Sequence, residues 1–470
     1  MTATDVLLAP GFRRYFRFTK VVLESRSVEE LALRLLPILA KLQLTRLAAL
    51  LIRRTLRPLT PARGRLKVLA IEKAVFNDDV LQVLGSAPGV EVIGIKRAIL
   101  KAIAVAFLPR SICSDDAYIQ DDPQVEAAKQ RLLSFWSRLW PKLGKFDAVL
   151  TGNWCYWAER EMATALEASG TPFVVLHKEG IKPPARSAML RDLFRRTRGT
   201  FTGRRVLVYH EAEFEHQVGG GISRAEQVRI VGMPRLDALH RWREQAAANL
   251  VAPRAGRPTV LFAAFLADNF LPSYSGIESD LAWSKLAAGS YAALMQLAEE
   301  NPDIEVVVRP RLHEADGVRR LFPDRDWPAN LRLVAEGSIK PLLEDAWVVG
   351  GHNTTVLLEA LAMGKPVVVP HFAEALDPRY AGFIVELGES VEHASSPDDL
   401  RHRLRDYSRT PCAIPAELSP AAAATLSSWT GNSDGRAAER ARAAILDEIG
   451  AGKVIVRSSK LTMTPKGRTA

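Results

Sequence analysis

Cysteine is scarce: Cys113, Cys155 and Cys412 are the only three in 470 residues, far apart and never spaced C-x-x-C. That excludes a disulfide framework and a thiolate zinc site, and it suits a reducing compartment. No apolar run reaches the ~20 residues that a membrane span requires. The opening MTATDVLLAPGFRRYFRF has a short apolar patch and then basic and aromatic residues, unlike a cleavable signal. No D-x-D pair follows a strand-like run in the manner of a metal–nucleotide site, and the nine histidines are dispersed. The expectation is therefore no metal and no cofactor. RNP, zinc-finger and helix-turn-helix patterns are also missing, so nucleic acid is not an expected partner. These absences together favour a cytoplasmic location.

What is present is ordinary globular material: 47% hydrophobic and 25% charged residues over a length that suits two or three domains. The charge is uneven. Residues 1–65 hold 13 Lys/Arg against 4 Asp/Glu, 13 − 4 = +9, out of a total of +10. A basic, amphipathic lead-in of this kind suits an anionic membrane face, a nucleic acid, or a solvated helical face packed on the body, and no nucleic-acid motif supports the second. Residues 27–56 read as helical, with Ser27 and Glu30 spaced as a capping box and Pro37 as a kink or division.

Two strand–helix series follow. The first has buried-strand runs at 66–71, 90–95, 146–151, 172–177 and 205–210, ending in VRIVGMPRLDALH at 228–240. The second starts at 258–265 and continues through strands at 304–310, 331–336 and 366–370 and a helix at 354–363. Alternation of apolar runs with helices implies doubly wound parallel sheets. The expected organisation is a basic helical extension (1–64), a first Rossmann-like domain for the acceptor (65–240), a polar linker (241–257), a second Rossmann-like domain for a nucleotide donor (258–410), a loop-like stretch with a closing helix (411–450) and a mobile tail (451–470).

The segment 350–370, GGHNTTVLLEALAMGKPVVVP, carries the most chemistry. Two glycines permit a tight turn against a ligand. A helix then starts near Asn353 or Thr354, and its free N–H groups and dipole attract phosphate. His352, Asn353, Thr354 and Thr355 are the candidate phosphate contacts. Glu359 is the one carboxylate in an otherwise apolar helix, so it needs donors: ribose hydroxyls, or a core arginine if the unit is merely structural.

The pattern N-T-T-x-x-x-E-A-L-x-x-G-K-P-V-V at 353–368 resembles the C-terminal domain of GT-B transferases that build bacterial surface polysaccharides. Similar segments occur in capsule synthesis proteins, CDP-glycerol glycerophosphotransferases and UDP-GlcNAc 2-epimerases. VGMPRLD (231–237), VVVRPRLHE (306–314) and DGRAAERARAAI (434–445) resemble other blocks of the capsule and teichoic acid group, in the same order. The resemblance implies an α/β, GT-B-like fold of two domains facing a cleft, and transfer of a sugar from a nucleotide-activated donor to a cell-surface glycan or lipid-linked acceptor. It implies donor contacts at Gly232, Glu359 and the strand-end cations. Such families read R/K-P-H-P, whereas here Arg309-Pro310-Arg311-Leu312-His313 displaces the histidine, leaving Arg309, Arg311 and His313 as alternatives. Arg235 and Asp237 are either site residues or a local ion pair. The epimerase reading ranks second, because the T-G-x-H segment of those enzymes is replaced by Glu72-Lys73-Ala74. A nucleotide-binding scaffold without turnover is the non-enzymatic alternative.

In the first half, charged residues at the carboxyl ends of strands suggest the acceptor side. LHKEG (176–180) offers Glu179 as base and Lys178 for phosphate or acceptor. EKAVFNDD (72–79) offers Asp78 and Asp79 as further candidate bases. TGNWCYW (151–157) offers Asn153 and Trp154 for sugar contact.

Overall fold

The computed structural model describes residues 27–461, apart from 62–63, 74–75, 115–117, 119–121, 198, 249–256 and 411–412. It contains two sheets. The first is built of β1 (Arg57–Pro58), β2 (Leu66–Glu72), β3 (Val90–Lys96), β4 (Ala148–Thr151), β5 (Phe173–Leu176), β6 (Arg205–Val208) and β7 (Val228–Ile230), in the order β1-β3-β2-β4-β5-β6-β7. All its neighbours are parallel except β1, which runs antiparallel to β3. The second contains β8 (Thr259–Ala263), β9 (Glu305–Arg309), β10 (Leu331–Leu333), β11 (Val348–Gly351), β12 (Val367–Pro370) and β13 (Glu392–Ala394), all parallel, in the order β10-β9-β8-β11-β12-β13. Strand order reverses between β2 and β4 and between β8 and β11, where doubly wound sheets bind ligands at their carboxyl edge.

Each sheet is buried on both faces, as its apolar runs require. In β2, Val68 and Ala70 enter one core while Leu69 and Ile71 enter the opposite one. In β8, Val260 and Phe262 face one way and Leu261 the other. The cluster around Leu261 also takes in Ile181 and Tyr209 of the first domain, so the two domains share apolar contact. The whole is a GT-B-like pair of Rossmann-like domains.

The helical N-terminus is less of an extension than its composition suggests. Its helices, Val28–Lys41 and Thr45–Thr55, bury Leu35, Leu36, Leu39, Ala48 and Ile52 against Ile71, Ile95 and Ile99. Pro37 lies inside the first helix, and the division falls instead at 42–44, where Gln43 takes φ +58°. The first arm of the expected capping box forms, with Glu30 N–H donating to Ser27 Oγ at 3.1 Å.

Three further boundaries differ from expectation. The helix Leu236–Ala247 runs on into the polar stretch read as linker, covering 241–247 of it. It is anchored by buried Arg243, which donates to the carbonyls of Ala362 and Ala416 at 3.3 Å. Within 411–430, residues Pro420–Thr430 form a helix: Ser419 caps it, proline sits in its first turn and alanines fill it, all of which are helix features. The last helix runs from Ala437 to Leu461, through part of the expected tail, while 462–470 lie outside the described residues. It returns to the first domain, where Ala441, Ala444, Ile445 and Ile449 pack with Val68 and Val92.

Two glycines make that return possible. Gly232 (φ +85°) would bring a Cβ within 2.6 Å of the Gly431 carbonyl, and Gly431 (φ +59°) faces the Tyr209 carbonyl with no room for a side chain. Asp237 closes the crossing. It accepts from Asn432 Nδ2 (2.7 Å) and from the N–H groups of Ala437 (3.1 Å) and Ala438 (2.8 Å) at the start of the last helix. It does not pair with Arg235.

Candidate functional site

The carboxyl edge of the first sheet gathers Lys73, Asn153, Tyr156, Lys178 and Glu179. Where β4 and β5 end, Lys178 N–H donates to the Gly152 carbonyl (3.0 Å), which ties the two loops together. Asn153 is buried and donates to Glu179 Oε2 at 2.7 Å. Glu179 Oε1 lies 3.1 Å from Lys178 Nζ and 3.9 Å from Lys73 Nζ. Desolvation raises the Glu179 pKa, but Lys178, His177 and Lys73 outweigh it and hold the carboxyl at about 2. Glu179 is thus ionised at neutral pH, with half of its side chain open to solvent. Trp154 is elsewhere: it is buried edge-on against Phe194 at 4.8 Å, so its ring packs in the core. Asp78 is exposed in the first turn of the helix Phe76–Leu84.

Beneath Glu179 lies a buried polar layer that sequence reasoning missed. Glu213 takes Lys182 Nζ at 2.6 Å and Gln217 Nε2 at 3.0 Å. His177 Nε2 is 3.2 Å from Glu213 Oε1, out of line for a hydrogen bond. Burial raises the Glu213 pKa, yet Lys182 and His177 pull it far below the usual carboxylate range. Burial pushes His210 down to about 4 and His216 to about 3, so both imidazoles are neutral. Glu213 stands three positions after the strand-end His210 in a helical first turn, and that spacing was the available signal.

The second domain contributes its own strand ends. Arg309 donates to the carbonyls of Val334 (2.8 Å), Glu336 (2.7 Å) and Gly337 (2.6 Å), fastening β9 to the loop after β10. Arg311 donates to Tyr274 Oη (2.7 Å) and Glu314 Oε1 (2.9 Å). His313 points to solvent, with three quarters of its side chain exposed. His352 is buried between Trp283 (4.7 Å) and Phe265 (5.2 Å), and burial holds it near pKa 3, neutral. Asn353 takes a left-handed φ of +51° and pins a neighbouring loop, donating to the Phe383 carbonyl (2.9 Å) and accepting from Val385 N–H (2.8 Å). Thr354 is the N-cap of the helix Thr355–Ala362, its hydroxyl accepting from Val356 N–H at 3.4 Å.

Two arginines make contacts between the domains at this edge. Arg186, in the helix Pro184–Thr197, lies over the rings of Phe270 (4.7 Å) and Tyr274 (5.0 Å) of the second domain. Phe270 holds φ +63°, a strained conformation for an aromatic residue. Arg186 Nη1 is buried without a hydrogen-bond partner. Its pKa is lowered, by burial first and also by the neighbouring charge of Arg311, while Glu179 raises it. Arg186 was not singled out in the sequence; a cation on the first turn after Pro183-Pro184 is the only trace there.

The second contact is an ion triad. Arg235 lies 3.0 Å from Asp79 Oδ2, 3.4 Å from Glu359 Oε1 and 3.3 Å from Tyr209 Oη. All four side chains are buried or nearly so. Burial raises the pKa of both Asp79 and Glu359, with Arg235 opposing it in each case. Glu359 thus meets an arginine, and that arginine comes from the V-G-M-P-R turn itself. Gly232 lies at the same turn, its close approach made to Gly431.

No family model and no curated protein matches the chain. Among solved structures, it is similar to UDP-GlcNAc 2-epimerase from Neisseria meningitidis bound to UDP-GlcNAc, at 13% identity and TM-score 0.46 over 81% of this chain and 100% of that one. It is also similar to a histidine-to-alanine variant of the wall teichoic acid polymerase TagF, at 11% identity and TM-score 0.45 over 94% and 99% of the two chains. A third is the S. aureus MnaA–UDP structure, at 14% identity and TM-score 0.44 over 80% and 94%.

Proposed function

We propose that the chain is an enzyme of nucleotide-activated sugars, and specifically a glycosyltransferase that carries a sugar to a cell-surface glycan or lipid-linked acceptor. The observation that carries this reading is the cationic pair Arg186 and Arg311, one from each domain and both over Tyr274, with ionised Glu179 acting on Arg186. Two guanidiniums from opposite walls suit the phosphates of a leaving nucleotide, whose charge grows as the bond to the sugar breaks. The helix start at Thr354–Thr355 adds its dipole. Glu359 would take the ribose hydroxyls, giving up its 3.4 Å contact with Arg235 while Arg235 keeps Asp79.

On the acceptor side, Glu179 would receive the hydroxyl proton as the new glycosidic bond forms and the nucleotide departs. A carboxyl near pKa 2 is a weak base, so Lys178 and Lys73 must first be drawn off it, and an incoming anionic donor would do that. Asn153 holds the carboxylate in place. A panel of CMP-, CDP-, UDP- and GDP-activated donors, followed by thermal shift and by donor hydrolysis, tests the reading. One class should raise the melting temperature and be hydrolysed slowly without acceptor. Binding without any turnover would favour the scaffold alternative, C2 epimerisation of the donor would favour the epimerase, and no shift with any donor would defeat the reading.

A further inference from the structure

We infer that the outer face of the two N-terminal helices is a docking surface for an anionic phospholipid bilayer. With their inner faces fixed in the core, these helices leave Ile38, Leu42, Leu44, Leu47 and Leu50 exposed, the last two at 52% each. With Val28 they make six of the twelve large hydrophobic side chains exposed among the described residues, confined to one short stretch of chain. Such concentration marks a patch rather than normal scatter. The left-handed Gln43 turns the chain so that Leu42 and Leu44 both face outward.

The charge around the patch is of one sign. From residue 31 to residue 71 there is no Asp or Glu and there are nine Lys/Arg. Lys41, Arg46, Arg53 and Arg54 are exposed among the leucines. The nearest acidic side chains on these helices, Glu29 and Glu30, sit in the first turn and are paired with Lys96 and Arg34. A second copy of the chain would set this cationic face against itself if it docked symmetrically. A nucleic acid would satisfy the cations and leave the leucines in water. An anionic bilayer satisfies both, phosphates meeting the Lys/Arg heads while the leucines enter the acyl boundary. None of the described helices is long and apolar enough to cross a membrane, so the helices lie on the surface.

The test is flotation of the full chain with phosphatidylcholine vesicles, with and without a third of phosphatidylglycerol, beside light scattering of the free protein. Expected are binding to the anionic vesicles only, loss of binding at high salt as screening shortens, and a reduction of at least about tenfold in bound fraction for Leu47→Glu/Leu50→Glu. Both side chains are half-exposed, so that variant should melt with the wild type; if it melts lower, Leu47→Ser/Leu50→Ser takes its place under the same criterion. Lys41→Gln/Arg46→Gln should weaken binding and flatten its salt dependence. Equal binding of the leucine variant, or equal binding to neutral vesicles, overturns the inference. So does a dimer that the leucine variant dissolves, which would make the patch a contact between copies. No outcome here depends on nucleotide binding.

Discussion

Replacing Arg235 with methionine isolates the ion triad between the domains. The side chain keeps its bulk, but Asp79 and Glu359 lose the cation 3.0 and 3.4 Å away. Both carboxyls are already raised by burial, and Arg235 is the largest influence opposing that in each. Removing one partner of a buried ionic group costs roughly 3–5 kcal/mol. The stranded carboxyls should respond by taking up protons. A group whose folded pKa lies above its unfolded value contributes stability that is full below the unfolded pKa and lost as pH rises through the folded one. The Arg235→Met penalty should therefore be largest at pH 7 and shrink towards pH 5, by about 1.4 kcal/mol per pH unit for each carboxyl that protonates. Urea unfolding of variant and wild type at both pH values reads this as a difference, so that other titrating groups cancel. A penalty below about 1 kcal/mol at pH 7, or one that does not change with pH, would refute the triad as an ionic clasp.

Acid should weaken the wild type through its neutral histidines. His210 near 4, and His216 and His352 near 3, have folded pKa values below their usual 6.5. Their stability is complete above 6.5 and is lost as pH falls towards 4 and 3, about 2 kcal/mol for each at pH 5. Asp79 and Glu359 act with the opposite sign, so a melting temperature that stayed flat or rose from pH 7 to 5 would mean that the carboxyls dominate. Gly232→Ala should cost at least about 2 kcal/mol in urea unfolding, because both its φ and the Gly431 carbonyl oppose a Cβ; a neutral substitution would show the crossing to be loose. Glu179→Gln should lower kcat on the donor that binds by at least about a hundredfold with KM little changed; unchanged kcat would remove it as the base.

Much of the architecture was legible because buried parallel strands are unmistakable: Val367–Pro370 and Leu66–Glu72 read as strands, and both bury their side chains on either face of a sheet. Composition misled where it was ambiguous. The Pro-, Ala- and Ser-rich stretch holds a helix because Pro420 falls in a first turn behind a Ser419 cap. The basic helices looked like an appendage because alternating Leu and Arg do not reveal what their apolar face meets. In the site, local chemistry was readable and pairing was not. Glu359 visibly needed donors, but its partner lies in the interdomain turn, and Asp79 reaches the same guanidinium from 156 positions away. Arg309 looked like a phosphate ligand by position, yet it holds three carbonyls of its own domain. Arg186 carried almost no local signal, since its setting comes from Phe270 and Tyr274 across the cleft.

The most direct measurement is calorimetric titration of the wild type and of Arg186→Ala with CMP, CDP, UDP and GDP and with the matching nucleosides. The cleft account predicts that one nucleotide binds the wild type, that its nucleoside binds far more weakly, and that Arg186→Ala reduces nucleotide affinity by at least about tenfold, one charged hydrogen bond's worth. Equal affinity in the variant would remove Arg186 from the phosphate site. No binding of any nucleotide to the wild type would contradict the central claim outright.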